Sequence, residues 1–246
     1  KESCVNLPPL DGMTASNEEA EKSVSGVLPE GILLLDKPTK KTSFFLVHLL
    51  RKKLGVRKIG HTGTLDPFAT GLMIMLVGRR YTRLAEPLQQ SDKTYVAELF
   101  LGKTTDTYDC EGREVSRSDS IPSIEQVESA LLHFQGNVQQ IPPMFSAKKQ
   151  FGIRLYQLAR QGKEVERLPV SIHLSTELME YAYPYLRLRI ACSKGTYIRS
   201  IAHDLGQALR CGAHLTALRR TVSGAFTVEE ALSVETLLAT SIDTLP

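Results

Sequence analysis

The sequence predicts an α/β (α+β) fold built on a mixed sheet, and three observations carry that reading. Short apolar runs of strand length alternate with helical segments from Gly31 onward, the interleaving expected of such a sheet. The 246 residues suffice for one large core, and 42% hydrophobic with 23% charged residues match a globular chain rather than a fibrous or disordered one. The longest apolar run, Gly71–Val77, is of strand length and far short of the roughly 18 residues of a membrane span.

Residues 1–30 read as a separate acidic tail. Two lysines face six acids there, a net charge of −4, with no aromatic residue to anchor a core, so disorder is expected. The tail lacks the basic-then-apolar layout of a secretory signal, and its acidity argues against an organelle transit peptide. A cytoplasmic protein is expected. The remaining chain, with 28 basic and 21 acidic residues, carries +7. Between Lys37 and Arg83 eleven Lys/Arg meet one acid, Asp66, a block that points to a polyanionic partner such as nucleic acid.

Gly31–Leu35 reads as a buried strand stopped by Asp36-Lys37-Pro38. Ser43 is the expected N-cap of a helix through Leu54, with Gly55 as its C′ residue. A glycine-punctuated loop follows, then strands near Leu72–Val77 and Thr94–Leu101. Ser123 with Gln126 forms a capping box that opens a helix ending by Gly136. Pro142-Pro143 breaks the chain again, and a basic stretch around Phe151 leads into a short helix ending near Gly162. Val170–Met179 and Tyr185–Cys192 are strands. In the second, Leu186, Leu188 and Ile190 alternate with Arg187 and Arg189. A helix over Tyr197–Leu209, a strand over Leu215–Val222 and a helix over Val234–Ala239 complete the pass.

The four cysteines are scattered, without a C-x-x-C pair or a histidine cluster, so neither a zinc site nor a disulfide framework is expected. The most informative stretch is Gly60-His61-Thr62-Gly63-Thr64-Leu65-Asp66-Pro67-Phe68-Ala69-Thr70-Gly71. A following proline pushes Asp66 out of the helical region, which places its carboxylate on a shaped loop between helix and strand, where catalytic groups concentrate. Cys192-Ser193-Lys194-Gly195-Thr196-Tyr197-Ile198-Arg199 sets an aromatic and a guanidinium two residues apart at a strand-to-helix junction.

These stretches resemble the TruB family of tRNA pseudouridine synthases. The resemblance continues through Leu35-Asp36-Lys37-Pro38, Ser91-Asp92-Lys93-Thr94-Tyr95, and Gly102-Lys103-Thr104-Thr105-Asp106-Thr107-Tyr108-Asp109. It is completed by Ile141-Pro142-Pro143-Met144-Phe145-Ser146-Ala147 and by Cys211-Gly212-Ala213-His214 with Leu218-Arg219-Arg220, in family order from about residue 31 to about 228. It implies the pseudouridine-synthase fold: a mostly antiparallel mixed sheet flanked by helices, with a central active-site cleft. It also implies the reaction, conversion of uridine 55 in the tRNA T loop to pseudouridine. That isomerisation is redox-neutral, so no cofactor and no metal are expected, and neither G-x-G-x-x-G nor a P-loop occurs.

By resemblance Asp66 is the reacting carboxylate, Arg199 the cation that keeps it ionised, and Tyr95 the ring that stacks on the flipped uracil. Tyr197 and Leu218 line the nucleotide pocket, and His61 packs among the T-loop bases. Asp109 supports the pocket, and Lys37 is a basic residue at its rim. Residues 139–167 match an RNA-gripping insertion whose Lys148, Lys149 and Arg154 suit phosphate contacts. The chain ends at Pro246, so the small C-terminal RNA-binding domain of many members is expected to be absent, leaving one catalytic domain over residues 31–246. A monomer acting on the tRNA T arm, without a membrane or an obligate protein partner, is expected. The rival reading is a protein that grips or folds the T arm with catalysis secondary. An intact Asp66, Tyr95 and Arg199 set favours the enzyme, because a pure binder has no use for a carboxylate facing RNA phosphates.

Overall fold

The computed structural model describes residues 29–146, 149–150, 152–163 and 165–245. The acidic segment 1–28, Lys148 and Phe151 lie outside the described residues.

The chain runs through β1 (Gly31–Lys37), α1 (Ser43–Leu54), β2 (Ile59–Thr62) and β3 (Thr70–Val77). Short helices α2 (Arg79–Thr82) and α3 (Ala85–Gln89) lead to β4 (Lys93–Leu101) and the hairpin of β5 (Lys103–Thr105) and β6 (Glu114–Arg117). Helix α4 (Ile124–Leu131) precedes β7 (Gly136–Gln140). The insertion holds a ribbon of β8 (Lys149–Gln150) and β9 (Ile153–Arg154), then α5 (Leu155–Arg160). After β10 (Val170–Ala182) and β11 (Tyr185–Cys192) come α6 (Ile198–Ala208), β12 (Ala213–Ser223), β13 (Phe226–Thr227), β14 (Leu232–Ser233) and α7 (Val234–Ala239).

One ten-stranded sheet frames the molecule, in the order β14-β1-β3-β12-β4-β11-β10-β7, with β13 beside β12 and β2 beside β3. Among the described strands of this sheet, β1–β14 and β3–β12 pair in parallel and the other strand pairs are antiparallel. The mixed, mostly antiparallel sheet is therefore as expected. Strand β3 is buried from Gly71 to Val77, which explains why its sequence is apolar without alternation. Strands β4 and β11 alternate instead, with Leu186, Leu188 and Ile190 fully buried and the intervening arginines turned outward.

Helix α1 buries Leu46, Val47, Leu50 and Leu54 on one face and ends at Gly55 with φ 68, the left-handed C′ conformation that glycine adopts without strain. Its N-cap is Thr42, whose Oγ1 accepts from the Phe45 amide at 3.1 Å, and not Ser43. Ser43 lies one residue inside the helix, and its hydroxyl is occupied elsewhere: it accepts from the Leu65 amide at 2.9 Å and donates to the Leu65 carbonyl at 3.1 Å. The misplaced cap is thus a tether from α1 to the loop that carries Asp66. The capping box of Ser123 and Gln126 forms as read.

Part of the stretch read as a loop after Gly55 is strand β2, which pairs with β3 through His61 and Met75. Asp66 therefore sits between two strands rather than between a helix and a strand. Two glycine and threonine positions in four residues hid the period-2 signal. Strand β12 crosses between β3 and β4 and places Arg220 opposite Gly71. Gly71 has φ 103, and a Cβ there would sit 2.3 Å from the Arg220 carbonyl oxygen. Gly71→Ala should accordingly destabilise the fold by more than about 2 kcal/mol, combining left-handed strain with a backbone clash. Urea unfolding of the purified variant measures this.

Candidate active site

The loop carrying Asp66 is anchored at nearly every residue. Leu65 and Phe68 bury their side chains, and Leu65 is held by Ser43. The Phe68 carbonyl accepts from Thr39 Oγ1 at 3.1 Å, and the Ala69 amide donates back to the Asp66 carbonyl at 3.1 Å. The Pro67 carbonyl accepts from Lys37 Nζ at 3.1 Å. So constrained, the loop presents the Asp66 side chain partly exposed, at 36%.

Arg199 comes to it from the first turn of α6, whose N-terminus is pinned by Gln140: that side chain accepts from the Tyr197 amide at 2.8 Å and donates to the Tyr197 carbonyl at 3.1 Å. Arg199 Nε lies 2.8 Å from Asp66 Oδ2, and Nη2 donates to Oδ1 at 3.4 Å. The guanidinium also donates to the Thr107 carbonyl at 3.2 Å and the Phe145 carbonyl at 2.8 Å. Its Nε stands 3.6 Å from Asp109 Oδ2. With its side chain 7% exposed and every face met by an acceptor, Arg199 is fixed in place. Asp109 is held in turn by Thr107 Oγ1 at 2.6 Å and the Glu111 amide at 3.0 Å, so it both closes its own turn and buttresses the arginine.

Burial pushes the Asp66 carboxyl up from the ordinary carboxylate value, and Asp109 adds to that rise; Arg199 and Lys37 oppose it. Tyr95, 8% exposed on β4, is raised above the usual phenol value by burial, with Arg220 opposing.

A cavity of about 1010 Å³ opens over these groups, a size suited to a small organic ligand. Its lining brings together Asp66, Tyr95, Asp109, Tyr197, Arg199 and Leu218, six residues singled out from the sequence. Lys37 and His61 are outside that lining. Lys37 is fully buried and donates to the carbonyls of Pro38, Lys41 and Pro67, so the expectation of a rim residue is corrected: it clamps the Asp66 loop. Burial lowers its pKa to about 8 despite the opposing pull of Asp66. His61 sits on β2, with a buried Nδ1 that has no hydrogen-bond partner, and burial, helped by Arg220, lowers its pKa. Lys149 and Arg154 are backbone register partners across the β8–β9 ribbon.

Sequence reasoning assigned no role to Glu111, Phe145 or Arg220, which also line the cavity. Arg220 stood inside a quoted motif, but nothing in a string of letters distinguishes it from the neighbouring Arg219, which is paired with Asp36 at 2.6 Å. The basic block resolves partly into a smaller cavity of about 350 Å³ lined by Lys58, Arg79, Thr82 and Arg83.

Comparison with known proteins gives one answer. The family model described as TruB family pseudouridylate synthase (N terminal domain) matches residues 51–198. That of the tRNA pseudouridylate synthase B C-terminal domain matches residues 199–244, which supply α6 and β12 to the same sheet and site. The chain is 64% identical over 204 residues to the tRNA pseudouridine synthase B of Protochlamydia amoebophila, covering 83% of this chain and 78% of that protein. It is 55% identical over 205 residues to the protein of the same name in Chlamydia felis, covering 83% and 87%. Among solved structures, a chain of a Cbf5-Nop10-Gar1 complex superposes with a TM-score of 0.68 at 28% identity, over 85% of this chain and 54% of that one. This chain thus spans about half the length of that solved chain. Two adjoining family models covering residues 51–244, and relatives more than half identical over most of their length, lead to one conclusion: the chain belongs to the TruB family of pseudouridine synthases.

Proposed function

We propose that this protein isomerises uridine to pseudouridine at position 55 in the T loop of tRNA, with Asp66 as the reacting carboxylate. The observation that carries the reading is the Asp66–Arg199 pair at 2.8 Å, open to a cavity large enough for an extruded nucleotide. The reaction breaks the bond between uracil N1 and the ribose C1′, turns the base and joins C5 to C1′; the C5 proton is released and N1 takes one up. Atoms and oxidation state balance without a cofactor. An ionised carboxylate beside the ribose serves as nucleophile or base. The base must first leave the loop's stack, and Tyr95 at the cavity wall offers it a ring to stack on. Tyr197 and Leu218 shape the pocket around it, and Asp109 steadies Arg199.

Phosphate contacts fall to basic side chains: Lys148, Lys149 and Arg154, by the family resemblance of the insertion, and the notch of Lys58, Arg79 and Arg83. His61, beside the Asp66 loop, faces the bases around the extruded one. No helix among the described residues is long and apolar enough to cross a membrane. The enzyme acts as a monomer in the cytoplasm on the T arm.

Tritium release from [5-³H]uracil in a T-arm RNA separates this enzyme from a mere RNA-gripping protein. The protein should release close to one tritium per T arm, and absence of release with tight binding would favour the binder. Asp66→Asn should reduce release to background while tRNA affinity stays within a few-fold, because phosphate contacts supply most of the binding energy.

Tyr95→Ala should weaken binding by no more than the roughly 1–3 kcal/mol of one base–aromatic stack. It should slow single turnover much further, by misplacing uracil against Asp66. Filter binding and quench kinetics on the same RNA report the two effects separately.

A further inference from the structure

Among the described residues Arg220 is the largest side chain to be almost wholly enclosed, at 2% exposed. Unlike Arg199 and Arg219, it is joined to no carboxylate by an ion pair among the described residues. Its Nε donates to the Leu72 carbonyl at 2.8 Å, and its Nη2 donates to the Gly63 carbonyl and to Met73 Sδ, both at 3.0 Å. Gly63 and Leu72 bracket the Asp66 loop. A buried cation satisfied by neutral acceptors alone is costly, and leucine or methionine would fill the volume at less expense. Its retention at the wall of the active cavity calls for a function.

The sheet register supplies one. Arg220 on β12 is directly opposite Tyr95 on β4, and residues so paired project from the same face. A register shift immediately after Arg220 marks a bulge, the device by which a strand re-aims a side chain. Arg220 and Tyr95 also line the same cavity, so the guanidinium and the tyrosine ring share its wall. A guanidinium has donors only. A tyrosine oxygen that meets it can only accept, which leaves the tyrosine's own O–H to turn away from the arginine.

We propose that Arg220 is a positioning residue for the reaction: anchored on the two carbonyls that flank the Asp66 loop, it holds the Tyr95 hydroxyl and directs that O–H into the nucleotide cavity. The inference rests on the reading of the site given above. It ties the loop that carries the carboxylate and the strand that carries the tyrosine to one rigid planar group, so that the two reach the nucleotide in a set geometry.

A double-mutant cycle tests this, using single-turnover pseudouridine formation at saturating T-arm RNA. Tyr95→Phe and Arg220→Gln should each slow the reaction roughly 10²-fold, with RNA affinity within about threefold. The double variant should lie within about threefold of Tyr95→Phe alone, because the arginine then has no hydroxyl to direct. Arg220→Lys, which keeps a donor-only cation, should recover part of the Arg220→Gln loss. Losses that multiply in the double variant, or a wild-type rate for Arg220→Gln, would overturn the proposal. So would failure of both Arg220→Gln and Arg220→Lys to fold, judged by circular dichroism, since Arg220 would then be purely structural. If instead the wild-type protein forms no pseudouridine, the fault lies with the function proposed above and not with Arg220.

Discussion

The contact between Asp66 and Arg199 is the constraint on which the rest of the structure depends. A carboxylate in a cavity that also has to admit a nucleoside loses water, and burial drives it toward its neutral form. Here burial does outweigh the compensation and the Asp66 pKa rises. Arg199 limits that rise, and only a guanidinium can do so without surrendering its own charge in the same surroundings. The cost of burying the arginine is met by the Thr107 carbonyl and Asp109 of the β5–β6 loop and by the Phe145 carbonyl at the start of the insertion. The arginine thereby acts as the hub on which the β5–β6 loop, the start of the insertion and the Asp66 loop converge.

The sheet order makes this convergence available. Strand β12, late in the sequence, lies between β3 and β4, parallel to the first and antiparallel to the second. That crossing lays Leu218, Arg219 and Arg220 against the Asp66 loop and against Tyr95. Arg219 fastens the same strand to Asp36 on β1 by two hydrogen bonds, at 3.0 and 2.6 Å. Lys37, next to Asp36, reaches the Pro67 carbonyl from the other side. Fold and cavity thus share residues, and the charged groups held inside converge on the loop that carries one carboxylate.

What could be read from the sequence follows from how local each signal is. The capping box at Ser123, the left-handed Gly55 and the alternation in Tyr185–Cys192 were legible because a few neighbouring residues determine them. Six of the residues singled out lie together at one cavity, and each stands in a long, specific motif. What escaped was set by distant partners. Ser43 looks like a cap until Leu65 claims its hydroxyl, and β2 becomes a strand only because β3 pairs with it. Lys37 looks like a surface lysine until three carbonyls enclose it. Arg219 and Arg220 are adjacent identical letters, yet one meets a carboxylate on β1 and the other is buried against the carbonyls of Gly63 and Leu72.

The pH dependence of Arg199→Met in single turnover at saturating tRNA tests the central claim most directly. Methionine preserves much of the packing and removes the charge that opposes burial at Asp66. The Asp66 pKa should rise further. Because a carboxylate that acts ionised loses function as pH falls through its pKa, the acid limb of the rate profile should move to higher pH. An adjacent cation is worth about 1–3 pKa units, and a shift of that order is expected, with part of the lost rate regained under alkaline conditions. An acid limb that stays in place, accompanied by weaker and less salt-sensitive tRNA binding, would show that Arg199 serves the RNA backbone rather than Asp66 and would contradict the account.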